Sequence, residues 1–327
     1  MAPEPARRNA PLLVVFNRSS GRGDRDAVGP AVEAACRAVG RACELFPVTQ
    51  GGQLPEVARQ AVQRAVDVGG VVVAAGGDGT INGVAQAVLG SGCAFGVLPR
   101  GTFNYFARTH GIPTELDDAL QVLLHEEAVP VQVGQVNGRV FLVNASVGLY
   151  AQSLEDREGW KQQFGRSRLV ALASGVRTIL RGHRSLRLTA ELPDRSWMAR
   201  TPTLFVGNNA LQMEQVGLPQ AQAIDTGRLA GVMLKPVGRW SLLALLARGA
   251  FGQLSEADEV VHFAFRSLTV NVRAGGARRI KVATDGELTA MTMPLRFEVA
   301  ASPLRLIRPP GLAPERREAQ AATEAGA

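Results

Sequence analysis

Short apolar runs alternate with amphipathic stretches over the first 125 residues. Leu12–Phe16 reads as a strand, Ala27–Val39 as a helix and Ala42–Val48 as a second strand. Between Leu54 and Asp67 the apolar residues fall at Leu54, Val57, Ala58, Ala61, Val62, Ala65 and Val66, the spacing of one helical face. Val71–Ala75 carries no charge, which suits a parallel strand covered on both sides. Ile81–Leu89 predicts a helix and Ala94–Leu98 a fourth strand. Thr114 with Asp117 fits the N-cap and N3 positions of a helix running to about His125. Strand and helix in alternation specify a doubly wound, three-layer α/β domain.

The period changes near Val129. Residues 131–136 alternate strictly, Asn137-Gly138 is the pair favoured at type I′ hairpin turns, and Arg139–Asn144 supplies a return strand. Further strands are expected at Leu186–Leu192, Thr203–Val206, Leu229–Leu234, Val260–Phe265, Leu268–Val272, Ile280–Ala283 and Met291–Val299. Gly275-Gly276 and Asp285-Gly286 make turns between several of them. This spacing predicts an antiparallel β-sandwich with one or two inserted helices. The expected division is an α/β domain over 10–128, a sandwich over 129–308 and a flexible tail over 309–327.

Composition narrows the partners. Charged residues make up 20% of the chain and hydrophobic ones 46%, which excludes a disordered protein. A formal charge of +7 suits a negatively charged partner such as a nucleotide or an anionic bilayer. Nucleic acid is disfavoured, because no basic stripe is interleaved with stacking aromatics. The three cysteines have no metal-ligand spacing and read as reduced thiols of a cytoplasmic protein. No run of 18 apolar residues exists, and the first apolar run is too short for a signal peptide. Any contact with lipid is therefore expected to be peripheral and transient.

Candidate chemistry is concentrated in loops after the parallel strands. Gly76-Gly77-Asp78-Gly79-Thr80 follows the buried third strand and precedes a helix, the place where open α/β sheets bind ligands. Its glycines allow close backbone approach, and its N–H groups with the next helical turn can form an anion-binding nest. Thr80 can cap that helix or donate its hydroxyl to a phosphate. Asp78 is repelled by phosphate unless a cation or proton intervenes, so it points to a metal, a water or a substrate hydroxyl nearby. A second loop, Pro99-Arg100-Gly101-Thr102-Phe103-Asn104, repeats the logic after the fourth strand. Asn17-Arg18-Ser19-Ser20-Gly21 and Thr49-Gln50-Gly51-Gly52 follow the first and second strands. Neither a G-x-G-x-x-G fingerprint nor a G-x-x-x-x-G-K-[ST] loop occurs, which argues against a dinucleotide-binding Rossmann domain and a P-loop ATPase.

These pieces resemble the diacylglycerol kinase catalytic-domain family, which includes sphingosine kinases and bacterial lipid kinases. The resemblance rests on Asn17 with Ser20-Gly21, on Gly76–Thr80, and on Pro99–Arg108 with its Gly-Thr-x-Asn-x-x-Ala-Arg pattern. It continues through Asn144–Leu149, Gly207-Asn208-Asn209 and Asp285-Gly286-Glu287. The glycine loop alone also suits an NAD kinase; its pairing with the Gly101–Arg108 motif is much more specific to lipid kinases. A non-catalytic lipid or nucleotide sensor on the same fold is the other alternative.

The resemblance implies transfer of the γ-phosphate of ATP, with Mg²⁺, to a lipid hydroxyl at an anionic membrane surface, most readily that of diacylglycerol. It places Asn17, Ser20, Gly21, Thr49, Gly76, Gly77, Gly79, Thr80, Gly101, Thr102 and Asn104 around the nucleotide. Asp285, Glu287 and Asp78 are the candidate catalytic acids. Asp285 is the preferred proton acceptor and Glu287 its helper, with Asp78 as a competing base or as the group that positions Mg²⁺. Asp225 is the candidate ligand of a structural metal. Homodimerisation is left open. Three positions depart from the family pattern: Arg18 stands where proline is common, Tyr105 where many members carry aspartate, and Arg228 within Asp225–Leu229. Two segments combine apolar, aromatic and basic residues in the way an interfacial helix needs, Trp160–His183 and Pro236–Leu254.

Overall fold

The computed structural model describes residues 9–17, 28–149, 151, 185–215, 221–250, 257–273 and 278–310. The expected turn at Ser20-Gly21, the Gly275-Gly276 turn, the Trp160–His183 segment and the tail beyond 310 lie outside the described residues. The chain divides into two units, Met1–Val133 with Ala300–Ala327, and Gly134–Val299.

In the first unit, β1 (Leu12–Asn17), β2 (Cys43–Val48), β3 (Val71–Gly76) and β4 (Ala94–Pro99) are parallel in the order β2-β1-β3-β4. They are connected by α1 (Val28–Ala38), α2 (Leu54–Val68) and α3 (Asp78–Val88). Every residue of β3 and β4 is buried, as their uncharged sequences require. α2 turns Ala58, Ala61 and Ala65 inward, and these small side chains let the helix lie close to the sheet. It stops at Gly69, whose φ of 64° is left-handed, and the Gly70 N–H returns to the Ala65 carbonyl at 2.8 Å. The path steps from β1 outward to β2, then back across β1 to β3. The carboxyl ends of β1 and β3 therefore flank a topological switch point, where α/β sheets bind their ligands.

A short helix, α4 (Tyr105–Thr109), precedes α5 (Leu116–His125). The N-cap of α5 is Glu115 rather than Thr114, and no side chain caps it; Asp117 and Asp118 place negative charge in its first turn instead. Two strands then widen the sheet: β5 (Ala128–Val131) and, from the far end of the chain, β18 (Leu304–Ile307). β18 runs parallel to β4 and antiparallel to β5. Residues 129–133 and 300–310 thus sit with the first unit and not with the sandwich expected over 129–308.

The second unit is a sandwich of two six-stranded sheets. Its strands are β6 (Gly134–Val136), β7 (Arg139–Phe141), β8 (Asn144–Gly148), β9 (Leu186–Glu191), β10 (Ser196–Thr201) and β11 (Thr203–Gly207). These are followed by β12 (Leu229–Leu234), β13 (Val260–Phe265), β14 (Ser267–Arg273), β15 (Arg279–Thr284), β16 (Glu287–Thr292) and β17 (Leu295–Val299). One sheet has the order β10-β9-β14-β17-β6-β7 and the other β13-β12-β11-β8-β15-β16. Phe141, Leu204, Leu268 and Phe297 belong to the core between them. Helices α6 (Ala210–Gln215), α7 (Ala221–Asp225) and α8 (Arg239–Ala250) cover the outer face of the second sheet. There Met213, Leu242 and Leu245 pack with Ala230 and Val232.

Three strand expectations change. The 131–136 run is broken at Gln132-Val133, where the chain passes from the first unit's sheet to the sandwich. The return strand ends at Phe141, and Asn144 opens a strand in the opposite sheet. Met291–Val299 is two strands in different sheets, parted at Met293-Pro294, because proline has no N–H to donate to a ladder. The Asn137-Gly138 hairpin is formed as expected, with φ of 48° and 78°.

Candidate active site

The rim of the first unit is built by two glycine loops that touch each other. A Cβ on Gly101 would lie 2.9 Å from the Gly77 Cα, and one on Gly77 would lie 3.3 Å from the Gly101 Cα. The Arg100 N–H donates to the Gly76 carbonyl at 2.8 Å, extending the β3–β4 pairing past the strand ends. Gly76 must also lack a side chain, since its Cβ would meet the Thr80 hydroxyl at 2.6 Å. Thr80 is turned back onto that glycine and is buried, so packing occupies the side chain expected to reach a phosphate. Asn104 adopts φ 49°; its Oδ1 accepts from the Gly101 N–H at 2.8 Å and its Nδ2 donates to the Gly101 carbonyl at 3.1 Å. Both ends of this amide are spent on shaping the loop.

α3 begins on this rim. Its first helical hydrogen bond runs from the Ile81 N–H to the Gly77 carbonyl at 3.0 Å. The N–H groups of Asp78, Gly79 and Thr80 come before that bond and have no helical acceptor, which is the donor arrangement that receives anions. Asn17 ends β1 beside β3, with Phe16 opposite Ala75. Thr49 follows β2, roughly 10 Å from β3 by strand spacing. It is exposed and donates its hydroxyl to Gln53 at 2.9 Å. Thr102 is exposed at the tip of the second loop.

Asp78 connects the two loops. Burial raises its carboxyl above the ordinary carboxylate range, and this outweighs the opposing pull of the Phe106, Asn104 and Tyr105 N–H groups and its own. Its Oδ1 is buried without a hydrogen-bond partner. An orphaned acceptor beside a row of main-chain donors fits a hydrated divalent cation accompanying a polyphosphate, so these residues suit both groups.

In the second unit, three motifs that are far apart in sequence meet at one end of a sheet. β11, β8 and β15 are neighbours; Gly207 stands opposite Asn144, and Thr284 opposite Ala145. Asp285 and Gly286 turn the β15–β16 hairpin with φ of 48° and 87°. The Asp285 carboxylate accepts the N–H groups of Leu142 (2.7 Å), Val143 (2.9 Å) and Asn144 (2.9 Å). Its own N–H donates to the Asn144 carbonyl at 2.9 Å. Asn208 secures the same bend from the other side, donating its N–H to the Val143 carbonyl (2.8 Å) and its Nδ2 to the Leu142 carbonyl (3.1 Å). Glu287 is exposed and pairs with Arg139 at 2.9 Å, while the Arg139 Nε donates to the Thr284 hydroxyl at 3.1 Å.

The structure thus groups Asn17, Thr49, Gly76–Thr80 and Gly101–Asn104 along one sheet edge, and Asp285 with Glu287 on one hairpin. Ser20 and Gly21 lie outside the described residues. Asp225 is exposed at the end of α7, and no group of three His, Cys, Asp or Glu side chains suited to a metal occurs among the described residues. Sequence reasoning passed over Arg139, which holds Glu287, and Gln212, which accepts from Asn144 Nδ2 at 2.9 Å. Neither has a local signal; each is marked only by a partner distant in the chain.

Comparison with known proteins identifies relatives of the chain. Residues 11–136 match the diacylglycerol kinase catalytic domain. A Pseudomonas aeruginosa protein named "Probable lipid kinase YegS-like" is 32% identical over 311 residues, covering 92% of this chain and 94% of that protein. A Klebsiella pneumoniae protein of the same name is 36% identical over 147 residues, 42% of this chain and 46% of its own length. Among solved structures, a diacylglycerol kinase from Bacillus anthracis shares the fold with a TM-score of 0.67 at 19% identity, covering 93% of this chain and 98% of that one.

Two outcomes test the rim. Gly101→Ala forces backbone against backbone and is expected to cost about 1–3 kcal/mol and to weaken MgATP binding. Gly77→Ala, with the looser contact, should cost less; thermal melts and nucleotide titrations of the two variants check the order. For Asp78, the folded state favours the protonated carboxyl more than the unfolded chain does. That contribution is full below the ordinary carboxylate pKa and is lost as pH rises through the elevated value. Asp78→Asn carries no such charge, so its melting temperature should gain on wild type between acid and neutral pH. Each kcal/mol relieved corresponds to about 2–4 °C. A difference independent of pH would contradict the burial argument.

Proposed function

Because the chain belongs to the diacylglycerol kinase catalytic-domain family and is an ATP-dependent lipid kinase, we propose how its residues divide the reaction. The first unit holds the nucleotide. The observation that carries this reading is the open N-terminus of α3 at the switch point, where the N–H groups of Asp78, Gly79 and Thr80 face no helical acceptor. Asn17, Thr49, Gly101 and Thr102 complete the edge, with Ser20 and Gly21 assigned by the family resemblance. Mg²⁺, when bound, supplies neutralising charge for the phosphate oxygens; the Asp78 carboxylate is the group of this chain suited to hold its hydration shell.

The second unit serves the acceptor. An alkyl hydroxyl must lose its proton as the phosphoryl bond forms, and a fixed carboxylate accepts that proton most effectively. Asp285 is the base in this reading. Its three main-chain hydrogen bonds hold the carboxylate in one orientation, which supports this reading by fixing where an acceptor hydroxyl would have to approach. Glu287, tied to Arg139, assists it. Diacylglycerol or a close relative is the acceptor, reached by peripheral association of a cytoplasmic enzyme with an anionic membrane. No described helix is long and apolar enough to cross one.

Radiolabelled ATP offered with diacylglycerol, sphingoid bases and NAD tests the assignment. Label is expected in a lipid, most strongly in diacylglycerol; label in NAD alone would overturn it. Asp285→Asn is expected to lower kcat by about 10²–10⁴-fold with little change in the KM for MgATP. Because asparagine also disturbs the 142–144 clip, the deciding readout is the pH–rate profile, whose acidic limb should disappear in the variant. A variant retaining half the wild-type turnover would remove Asp285 from the base role.

A further inference from the structure

Exposed basic residues line the outer face of one sheet at one end of the sandwich. Arg200 of β10 stands directly opposite Arg187 of β9, and Arg187 stands opposite the Arg273 position of β14. Neighbouring strands are about 4.8 Å apart, so three arginine positions form one row across the sheet. Leu188 and Ala190 point into the core, which leaves Arg187 on the outer face; Arg187 and Arg200 are both exposed. Neither makes an ion pair among the described residues. Like charges placed directly opposite one another disfavour a sheet, and among the described residues no ion pair offsets Arg187 and Arg200. Among the described residues of this face, Glu191 is four residues along β9, roughly 13 Å away, and Glu298 is paired with Arg296 at 2.9 Å.

Apolar groups flank the row. Met198, two residues before Arg200 on the same outward side of β10, is 77% exposed. The Leu234 N–H donates to the Thr201 hydroxyl at 3.2 Å, bringing the exposed Lys235 to this same end of the sandwich, where its N–H donates to the Glu259 carbonyl at 2.8 Å beside exposed Asp258. The chain continues from Lys235 into α8, which buries Leu242 and Leu245 and leaves Trp240 76% exposed in its first turn. An exposed amphipathic aromatic at the same end as the Arg187–Arg200 pair matches a headgroup layer, where the charges meet anionic phosphates and the ring enters the interface.

We propose that this end of the second unit, marked by Arg187, Arg200, Met198 and Trp240, docks on an anionic lipid bilayer. The inference rests on the lipid-kinase reading and adds the surface by which the enzyme meets its substrate. β8 runs from the Asp285 hairpin at Asn144 to this end at Gly148, about 14 Å. A lipid can bridge that distance headgroup first while its chains remain in the bilayer.

Co-sedimentation of the full chain with phosphatidylglycerol-containing and pure phosphatidylcholine vesicles tests the surface. Wild type is expected to bind only the anionic vesicles, and Arg187→Glu/Arg200→Glu to bind them about tenfold to a hundredfold less. The same variant should keep wild-type turnover on diacylglycerol dispersed in detergent micelles, which also shows that it folds. Trp240→Ala, at an exposed position, should weaken vesicle binding independently. Unchanged vesicle binding by both variants would overturn the proposal. So would a charge-reversal variant that loses affinity for DNA but not for vesicles. Absence of lipid phosphorylation by wild type in micelles would instead count against the kinase reading.

Discussion

The active rim depends on an acid removed from water. Asp78 belongs to the loop after β3, yet its carboxylate is held by main-chain N–H groups of residues 104–106, which follow β4. Gly77 and Gly101 make this approach possible by having no side chains at their contact. The two glycine motifs are therefore one structure, and the strand order places it beside the switch point between β1 and β3. Burial raises the cost of keeping Asp78 charged, and a bound cation is the natural group to lower that cost.

The second unit repeats the device with another acid. Asp285 takes the N–H groups of three consecutive residues, 142–144, at the bend where the chain leaves one sheet of the sandwich for the other. In each unit a motif aspartate fixes a distant stretch of backbone. In the proposed division of roles, positioning and chemistry fall to the same side chains, so substitution of either acid is expected to disturb both. A change in rate after such a substitution has to be read together with a quantity that loop disorder alone would not alter.

Much of the fold was readable because it is periodic. The uncharged β3 run and the Asn137-Gly138 turn each carry a local signature that the structure bears out, and the apolar stripe of α2 is borne out as a helix whose buried face narrows to Ala58, Ala61 and Ala65 and leaves Val66 exposed. β18 was not readable: its four residues next to prolines carry no strand signal of their own, and only pairing with β4 and β5 gives them a role. β10 was missed because an edge strand alternates exposed Ser196, Met198 and Arg200 with its inward residues. At the site, the positions of the glycine loops were legible but part of their reason was not. The sequence suggested room for phosphate, whereas Gly76, Gly77 and Gly101 first make room for Thr80 and for each other. Arg139 and Gln212 act through partners far along the chain, which no local pattern reveals.

The central claim is that main-chain amides at the start of α3 receive the nucleotide's phosphates. Amide ¹H–¹⁵N spectra recorded during titration with MgATP and, separately, with adenosine test it most directly. The account predicts that the signals of Gly77, Asp78, Gly79 and Thr80 move with MgATP and stay in place with adenosine. Unmoved signals for these four residues at saturating MgATP, with shifts confined to other segments, would contradict it.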